Sequence, residues 1–146
     1  MSSLITERSY GSLREFLRDL ESRIAKIREL IAHYLRKVDE LNKAVRRENT
    51  LRSYLLRYGI RLPHPPRTPI LEITDDSSII IETNPRDIIP VYEEISDKLQ
   101  QTLDKLVQIA DILKNVQNIE APIQQVFYEN EIPKYIIINL RKIETK

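Results

Sequence analysis

The chain has 146 residues, of which 31% are charged, and its formal net charge is +1. It contains no cysteine, which excludes disulfides, thiolate metal sites and thiol catalysis. No apolar run reaches the roughly 18 residues of a membrane span, and residues 1–10 lack the apolar core of a signal peptide. We therefore expect a cytoplasmic protein without a membrane partner. Its abundant isoleucine and charge, with few glycines, are typical of thermophilic proteins.

The first predicted element is a long helix. Residues 1–11 are expected to form a flexible N-terminal arm, and Ser12 and Glu15 then match a capping box, in which each side chain bonds backbone N–H groups at the helix start. The predicted helix covers residues 12–59. Gly59 supplies the left-handed conformation that ends a helix in a Schellman motif.

An apolar stripe follows this helix from Leu13 to Val45 at alternating steps of four and three residues. A heptad repeat of this kind needs another helix to cover it, so it predicts a coiled coil or a helical bundle. We assign an oligomer interface to the members of this stripe, here called the seam: Leu17, Leu20, Ile24, Ile27, Ile31, Tyr34, Val38, Leu41 and Val45.

The middle of the chain predicts a connector and a β-hairpin. Residues 60–69 contain four prolines and form a stiff Pro-rich connector. Residues 70–146 are expected to form a small antiparallel β-subdomain with a second long helix. Two apolar runs, 70–74 and 79–83, flank a loop of turn-forming residues and predict the hairpin. The apolar segment 135–140 predicts a third strand of the same sheet, with Ile137 in its interior.

The second heptad-patterned helix is expected from about Pro90 to about Asn118, because proline is favourable at the first helical position. Pro122 and Pro133 bracket a segment that fits either a short strand or an interface patch. The predicted fold class is α+β: two long heptad-patterned helices with a small antiparallel β-subdomain.

The sequence contains no recognisable arrangement of catalytic or metal-binding residues. The two histidines, His33 and His64, do not stand at ligand spacing. Asp75 and Asp76 lack the glycine and the distal glutamate of a calcium loop. Neither glycine lies in a phosphate-binding loop. We therefore expect no catalytic, cofactor or metal site and no small-molecule substrate, and hence a protein that is not an enzyme.

Charge is unevenly distributed along the chain. Residues 41–70 contain seven basic residues against one acidic residue, and residues 72–97 contain eight acidic residues against one basic residue. The basic block either tracks a nucleic-acid backbone or faces the acidic block, within one chain or between neighbouring subunits. The second reading is favoured because the acidic block repels nucleic acid. The candidate contacts are Lys43, Arg46, Arg47, Arg52, Arg57, Arg61 and Arg67.

The order of a long helix, a β-hairpin and a second heptad helix resembles the topology of prefoldin-type chaperone subunits. The resemblance implies a chaperone that holds unfolded chains. The two coils of those proteins are similar in length, whereas here the second helix is shorter and residues 121–146 have no counterpart, so no site residues are transferred.

The sequence as a whole predicts a non-enzymatic structural subunit. It would act through coiled-coil and β-subdomain contacts with protein partners, as a homo-oligomer or as a subunit of a hetero-complex. The alternatives are a nucleic-acid-binding accessory protein that uses the basic block 43–67, and a prefoldin-like chaperone subunit.

Overall fold

The structure is a computed structural model that describes residues 4–64, 66–81, 84–116, 118 and 123–138. Its elements, in chain order, are β1 (Ile5–Tyr10), α1 (Leu13–Leu56), β2 (Ile70–Thr74), β3 (Ser77–Ile80), α2 (Pro85–Lys114), β4 (Ile123–Glu129) and β5 (Ile132–Ile138). Strands β1, β4 and β5 form one antiparallel sheet in the order β1-β4-β5, and β2 and β3 form a separate hairpin. The predicted α+β fold with two long helices is confirmed.

Helix α1 begins with the predicted capping box. The Ser12 hydroxyl accepts a hydrogen bond from the Glu15 N–H at 3.2 Å. The Glu15 carboxylate accepts one from the Gly11 N–H at 2.8 Å, one residue before the N–H usual in this motif. Two backbone donors at the helix start are thereby satisfied.

Helix α1 ends at Leu56 in the predicted Schellman motif. The Ile60 N–H bonds the Leu55 carbonyl at 3.1 Å, and the Gly59 N–H bonds the Leu56 carbonyl at 3.0 Å. Gly59 has a φ of 75°, the left-handed conformation that glycine adopts without steric cost.

Helix α2 begins at Pro85, five residues before the predicted start. Asn84 caps it, since its side-chain oxygen accepts the Arg86 N–H at 3.1 Å and its carbonyl accepts the Asp87 N–H at 3.0 Å. Pro85 occupies the first helical position, so Pro90 lies inside the helix, where its missing N–H removes one backbone hydrogen bond. The helix ends at Lys114, before the predicted end near residue 118.

The chain divides into two compact units, residues 1–30 with 99–146, and residues 31–98. In the first unit, the beginning of α1 and the end of α2 pack with the three-stranded sheet. Buried apolar residues recur at helical spacing on both helices and at alternate positions on β4, which is what one shared core requires. This core consists of Leu13, Phe16, Leu17, Leu20, Ile24, Leu103, Leu106, Ala110, Val126 and Tyr128.

The expected N-terminal arm is wrong for residues 5–10, which form strand β1. Ile5 pairs with Glu129 and Arg8 pairs with Val126 in an antiparallel ladder. Val126 is fully buried, so its strand is central to the sheet and needs a partner on each side. Strand β1 supplies one partner although its own side chains are mostly exposed.

The predicted pairing of segment 135–140 with the hairpin is also wrong. Strand β5 pairs with β4, and a two-residue turn at Asn130 and Glu131, both with positive φ, joins the two strands. The two-residue connection lets β5 pair with its neighbour β4 in sequence. Pairing of β5 with the β2–β3 hairpin, about 50 residues earlier, would need a much longer connection. Ile137 is 41% exposed, so the expectation that it is interior is wrong as well. Residues 139 and 140 lie outside the described residues.

In the second unit, α1 from residue 31 and α2 up to residue 98 flank the connector and the hairpin. The Tyr34 ring stacks on the Tyr92 ring with centroids 5.7 Å apart, which joins the two helices within this unit. Ile31, Ile88 and Ser96 are buried here.

Candidate assembly surface

The β2–β3 hairpin presents an uncovered apolar face. Leu71 stands directly opposite Ile79 in the antiparallel register. Ile81 follows Ile79 by two residues, where its N–H extends the ladder to Pro69 just beyond β3, so it lies on the same side as Ile79. Ile73 lies close by, at the register shift between Glu72 and Thr74. Leu71, Ile73, Ile79 and Ile81 are 61%, 60%, 48% and 55% exposed, respectively. We call these four residues the hairpin face. A two-stranded sheet is marginally stable in water on its own, so we expect another protein surface to cover this apolar face.

The hairpin also has two free edges. The structure gives β2 and β3 no strand neighbour apart from each other within the residues it describes. Among the described residues, no further strand pairs with the outer backbone N–H and C=O groups of either strand, and unpaired edges of this kind can pair with another chain. Because β5 pairs with β4, the predicted third strand does not cover either edge.

A hydrogen-bonded base fixes the hairpin to the start of α2. The Asn84 N–H donates to the Thr68 hydroxyl at 3.2 Å, and the Thr68 N–H donates to the Asp87 carboxylate at 2.9 Å. The Ile81 N–H donates to the Pro69 carbonyl at 3.0 Å and extends the ladder towards this base. Thr68 is buried. The hairpin is thus anchored on both of its sides.

A second exposed apolar cluster lies at the end of α1. Leu51, Tyr54 and Tyr58 are 50%, 54% and 69% exposed, and the two tyrosine rings are 5.5 Å apart. Arg46 and Arg47 line the same shallow surface hollow as Leu51 and Tyr54. Tyrosine and arginine are enriched at the energetic centres of protein interfaces. We call Leu51, Tyr54 and Tyr58 the helix stripe.

Arg52, one of the predicted contact residues, is bound within the chain. Its guanidinium makes two hydrogen bonds to Glu48, at 2.8 and 3.0 Å, and donates to the carbonyl oxygens of Leu62 and Pro63 at 2.9 and 2.7 Å. This arginine clamp holds the connector against the end of α1. Arg52 therefore has a structural use that spacing along the sequence did not indicate.

The other predicted basic contacts are exposed. Lys43 pairs with Asp39 at 3.0 Å. The remaining five make no ion pair among the described residues, which leaves their charges open to a partner. These five are Arg46, Arg47, Arg57, Arg61 and Arg67.

Most described acidic residues of the block 72–97 are also exposed and without an ion pair within the described part of the chain. Glu94 pairs with Lys98 at 3.1 Å, and Asp87 belongs to the hairpin base. Five more acidic residues are exposed and have no ion pair within the described part of the chain: Glu72, Asp75, Asp76, Glu93 and Asp97. The structure therefore shows no ion pair between the two blocks among the residues it describes. Glu82 lies outside those residues.

The seam is only partly accessible. Four of its members are buried within the single chain, namely Leu17, Leu20, Ile24 and Ile31. The other five are half-buried, namely Ile27, Tyr34, Val38, Leu41 and Val45. The oligomer interface assigned to the seam stays a prediction, and the half-buried members are the ones that another chain can reach without opening the core.

The first unit contains a polar network beneath its sheet. The Tyr10 hydroxyl donates to the Asp19 carboxylate at 2.7 Å and accepts a hydrogen bond from the Tyr128 hydroxyl. The Arg23 guanidinium pairs with Asp19 at 3.2 Å and lies 4.6 Å from the centroid of the Tyr128 ring. Burial, with hydrogen bonds to Tyr128 and Asp19, raises the pKa of Tyr10 well above its usual range. Burial also raises the pKa of Tyr128.

This network suits a structural role. Raised pKa values keep both tyrosine hydroxyls protonated well above neutral pH, so they remain available as hydrogen-bond donors within the network. Tyr128 is 1% exposed, so a substrate has no access to its ring.

The two histidines and the hairpin aspartates lie on three different segments of the second unit. The His33 ring makes an edge contact with Tyr34, and His64 lies in the connector. The described residues contain no group of three or more histidine, cysteine, aspartate or glutamate side chains arranged to hold a metal ion. The hairpin turn is held by a hydrogen bond from the Asp76 N–H to the Thr74 hydroxyl at 3.3 Å.

No family model, no curated protein and no solved structure matches this chain. None of the helices among the described residues has the length and apolar character needed to cross a membrane.

Proposed function

We propose that this protein is a non-enzymatic structural subunit that assembles with protein partners through its second unit. The observation that carries the proposal is the hairpin face, four large apolar side chains that are each about half exposed or more. Contiguous apolar surface of this kind is typical of protein interaction sites. The free hairpin edges add main-chain groups that can extend the contact by strand pairing.

A hairpin-face variant tests this proposal. Leu71→Glu with Ile79→Glu places two charges on the contact face without removing any core residue. We expect wild-type chain to sediment as an oligomer, and the variant to sediment as a single chain with unchanged helical circular dichroism, because a buried unpaired charge is costly. Ile112→Glu is the matched control, since Ile112 is 60% exposed and lies in the first unit. A variant that sediments like wild type would refute the proposal.

The five exposed arginines, which make no ion pair within the described part of the chain, support a second candidate function, binding of nucleic acid. These five exposed arginines, at the end of α1 and in the connector, supply the positive charge that phosphate contacts need. Against it, the exposed acidic residues of the same unit repel phosphates. Changing Arg46, Arg47 and Arg57 to glutamine would abolish duplex binding if this function holds. We expect wild-type binding to be weak and to vanish at physiological salt, and tight binding there would place this function first.

A further inference from the structure

The second unit exposes two apolar surfaces that carry opposite charge. The hairpin face stands next to an acidic turn formed by Asp75 and Asp76, both exposed. The helix stripe stands next to Arg46 and Arg47, also exposed. Each surface thus has the composition that fits the other, with apolar side chains to pack against each other and charges of opposite sign beside them.

A single chain does not bring these two surfaces together. All members of the hairpin face and of the helix stripe are about half exposed or more in the single chain. Hydrogen bonds of Thr68 and Asn84 tie the base of the hairpin to the start of α2. The Arg52 clamp fixes the connector on the side of α1.

We propose that the hairpin face of one chain packs on the helix stripe of a second copy, while the Asp75–Asp76 turn pairs with Arg46 and Arg47 of that copy. The inference rests on the proposed function and names the partner. A two-fold dimer makes this contact twice, so both surfaces of both chains are covered and none is left to propagate the assembly. Charge complementarity favours a second copy of this chain as the partner, because the second unit carries both the acidic turn and the two arginines beside the helix stripe.

A charge-exchange experiment tests the pairing. The arginine-reversed chain carries Arg46→Glu and Arg47→Glu, and the turn-reversed chain carries Asp75→Lys and Asp76→Lys. Each chain alone places like charges against each other, so its self-association should weaken by about tenfold or more. Mixing the two restores opposite charges at both contacts, and native mass spectrometry should show a heterodimer with the dissociation constant of wild type.

Two controls keep the result interpretable. Arg14→Glu with Arg18→Glu reverses two exposed arginines of the first unit and should leave self-association unchanged. Neutral versions, with glutamine or asparagine at the four positions, serve if a reversed chain fails to fold. Each neutral chain should associate more weakly than wild type. Mixing the two neutral chains should give partial rescue, because the mixed dimer regains the native charge pair at one of its two contacts.

The possible failures separate this inference from the proposed function. If either reversed chain self-associates as tightly as wild type, or if mixing gives no heterodimer, the pairing is wrong, while assembly through another surface still stands. If wild type and the Leu71→Glu, Ile79→Glu variant are both folded monomers, both proposals fail. If the arginine-reversed chain loses only binding to a 20-base-pair DNA duplex, those arginines contact nucleic acid and the pairing is overturned.

Discussion

Leu71 and Ile79 stand directly opposite each other across the β2–β3 hairpin, and both side chains are exposed, by 61% and 48%. An isolated hairpin with an exposed apolar pair is marginally stable. We therefore expect amide protection in residues 70–81 to rise with protein concentration as partners cover this face. Hydrogen exchange, followed by mass spectrometry at several protein concentrations, measures this amide protection. Protection that is independent of concentration would mean that the hairpin is stable alone.

Sequence periodicity predicted the helices well because their determinants are local. The Ser12 cap and the Gly59 terminus each depend on residues within one turn, and both formed as expected. The start of α2 was missed because Asn84 and Pro85 provide a complete cap and first position before Pro90 does. Where two local signals compete, the one with the better hydrogen bonding begins the helix.

The sheets were predicted poorly because strand pairing is not local. Strand β1 carries little apolar pattern of its own, and it pairs with a strand about 120 residues later. The turn at Asn130 and Glu131 contains no glycine, so the hairpin of β4 and β5 lacks the usual sequence signal. The candidate assembly surface likewise combines local features that the sequence predicts with non-local features that it does not. The β2–β3 hairpin was predicted, although its second strand begins at Ser77 and not at residue 79. Its lack of cover depends on the pairing of distant strands, and the engagement of Arg52 depends on how the connector folds back on the end of α1.

The arginine clamp should contribute measurable stability. Arg52→Gln removes hydrogen bonds to Glu48, Leu62 and Pro63. A hydrogen bond with a charged partner has a net contribution of about 1.5–3 kcal/mol when buried, and the partial exposure of Arg52 and Glu48 reduces it here. We expect the free energy of unfolding to fall by about 1–3 kcal/mol in total. Urea denaturation measures this change. Arg47→Gln, which removes no ion pair among the described residues, should change it by less than about 0.5 kcal/mol.

The tyrosine network predicts loss of stability at alkaline pH. Tyr10 and Tyr128 have raised pKa values in the fold, so the folded chain keeps protons that the unfolded chain releases above about pH 10. Their contribution is complete below that pH, and the free energy of unfolding should fall as the pH rises above it. Tyrosinate absorbance should show two late-titrating groups. The double variant Tyr10→Phe, Tyr128→Phe should lose them and show a shallower pH dependence.

Because β5 lies at the edge of its sheet, we expect a substitution in β5 to lower the free energy of unfolding only slightly. Ile137 is 41% exposed, so Ile137→Ala should cost less than about 1 kcal/mol as a near-surface change. Leu20 is fully buried, so Leu20→Ala should cost about 2–5 kcal/mol through lost burial and a residual cavity. Thermal and urea unfolding of both variants measure the difference. Equal costs would contradict the placement of β5 at the edge of its sheet.

The molecular mass of the wild-type chain in solution tests the central claim most directly. One chain has a mass of 17.2 kDa. Light scattering across the micromolar concentration range should give a dimer mass that falls towards the single-chain mass on dilution. A folded chain with a constant mass of 17.2 kDa at all of these concentrations would contradict the account.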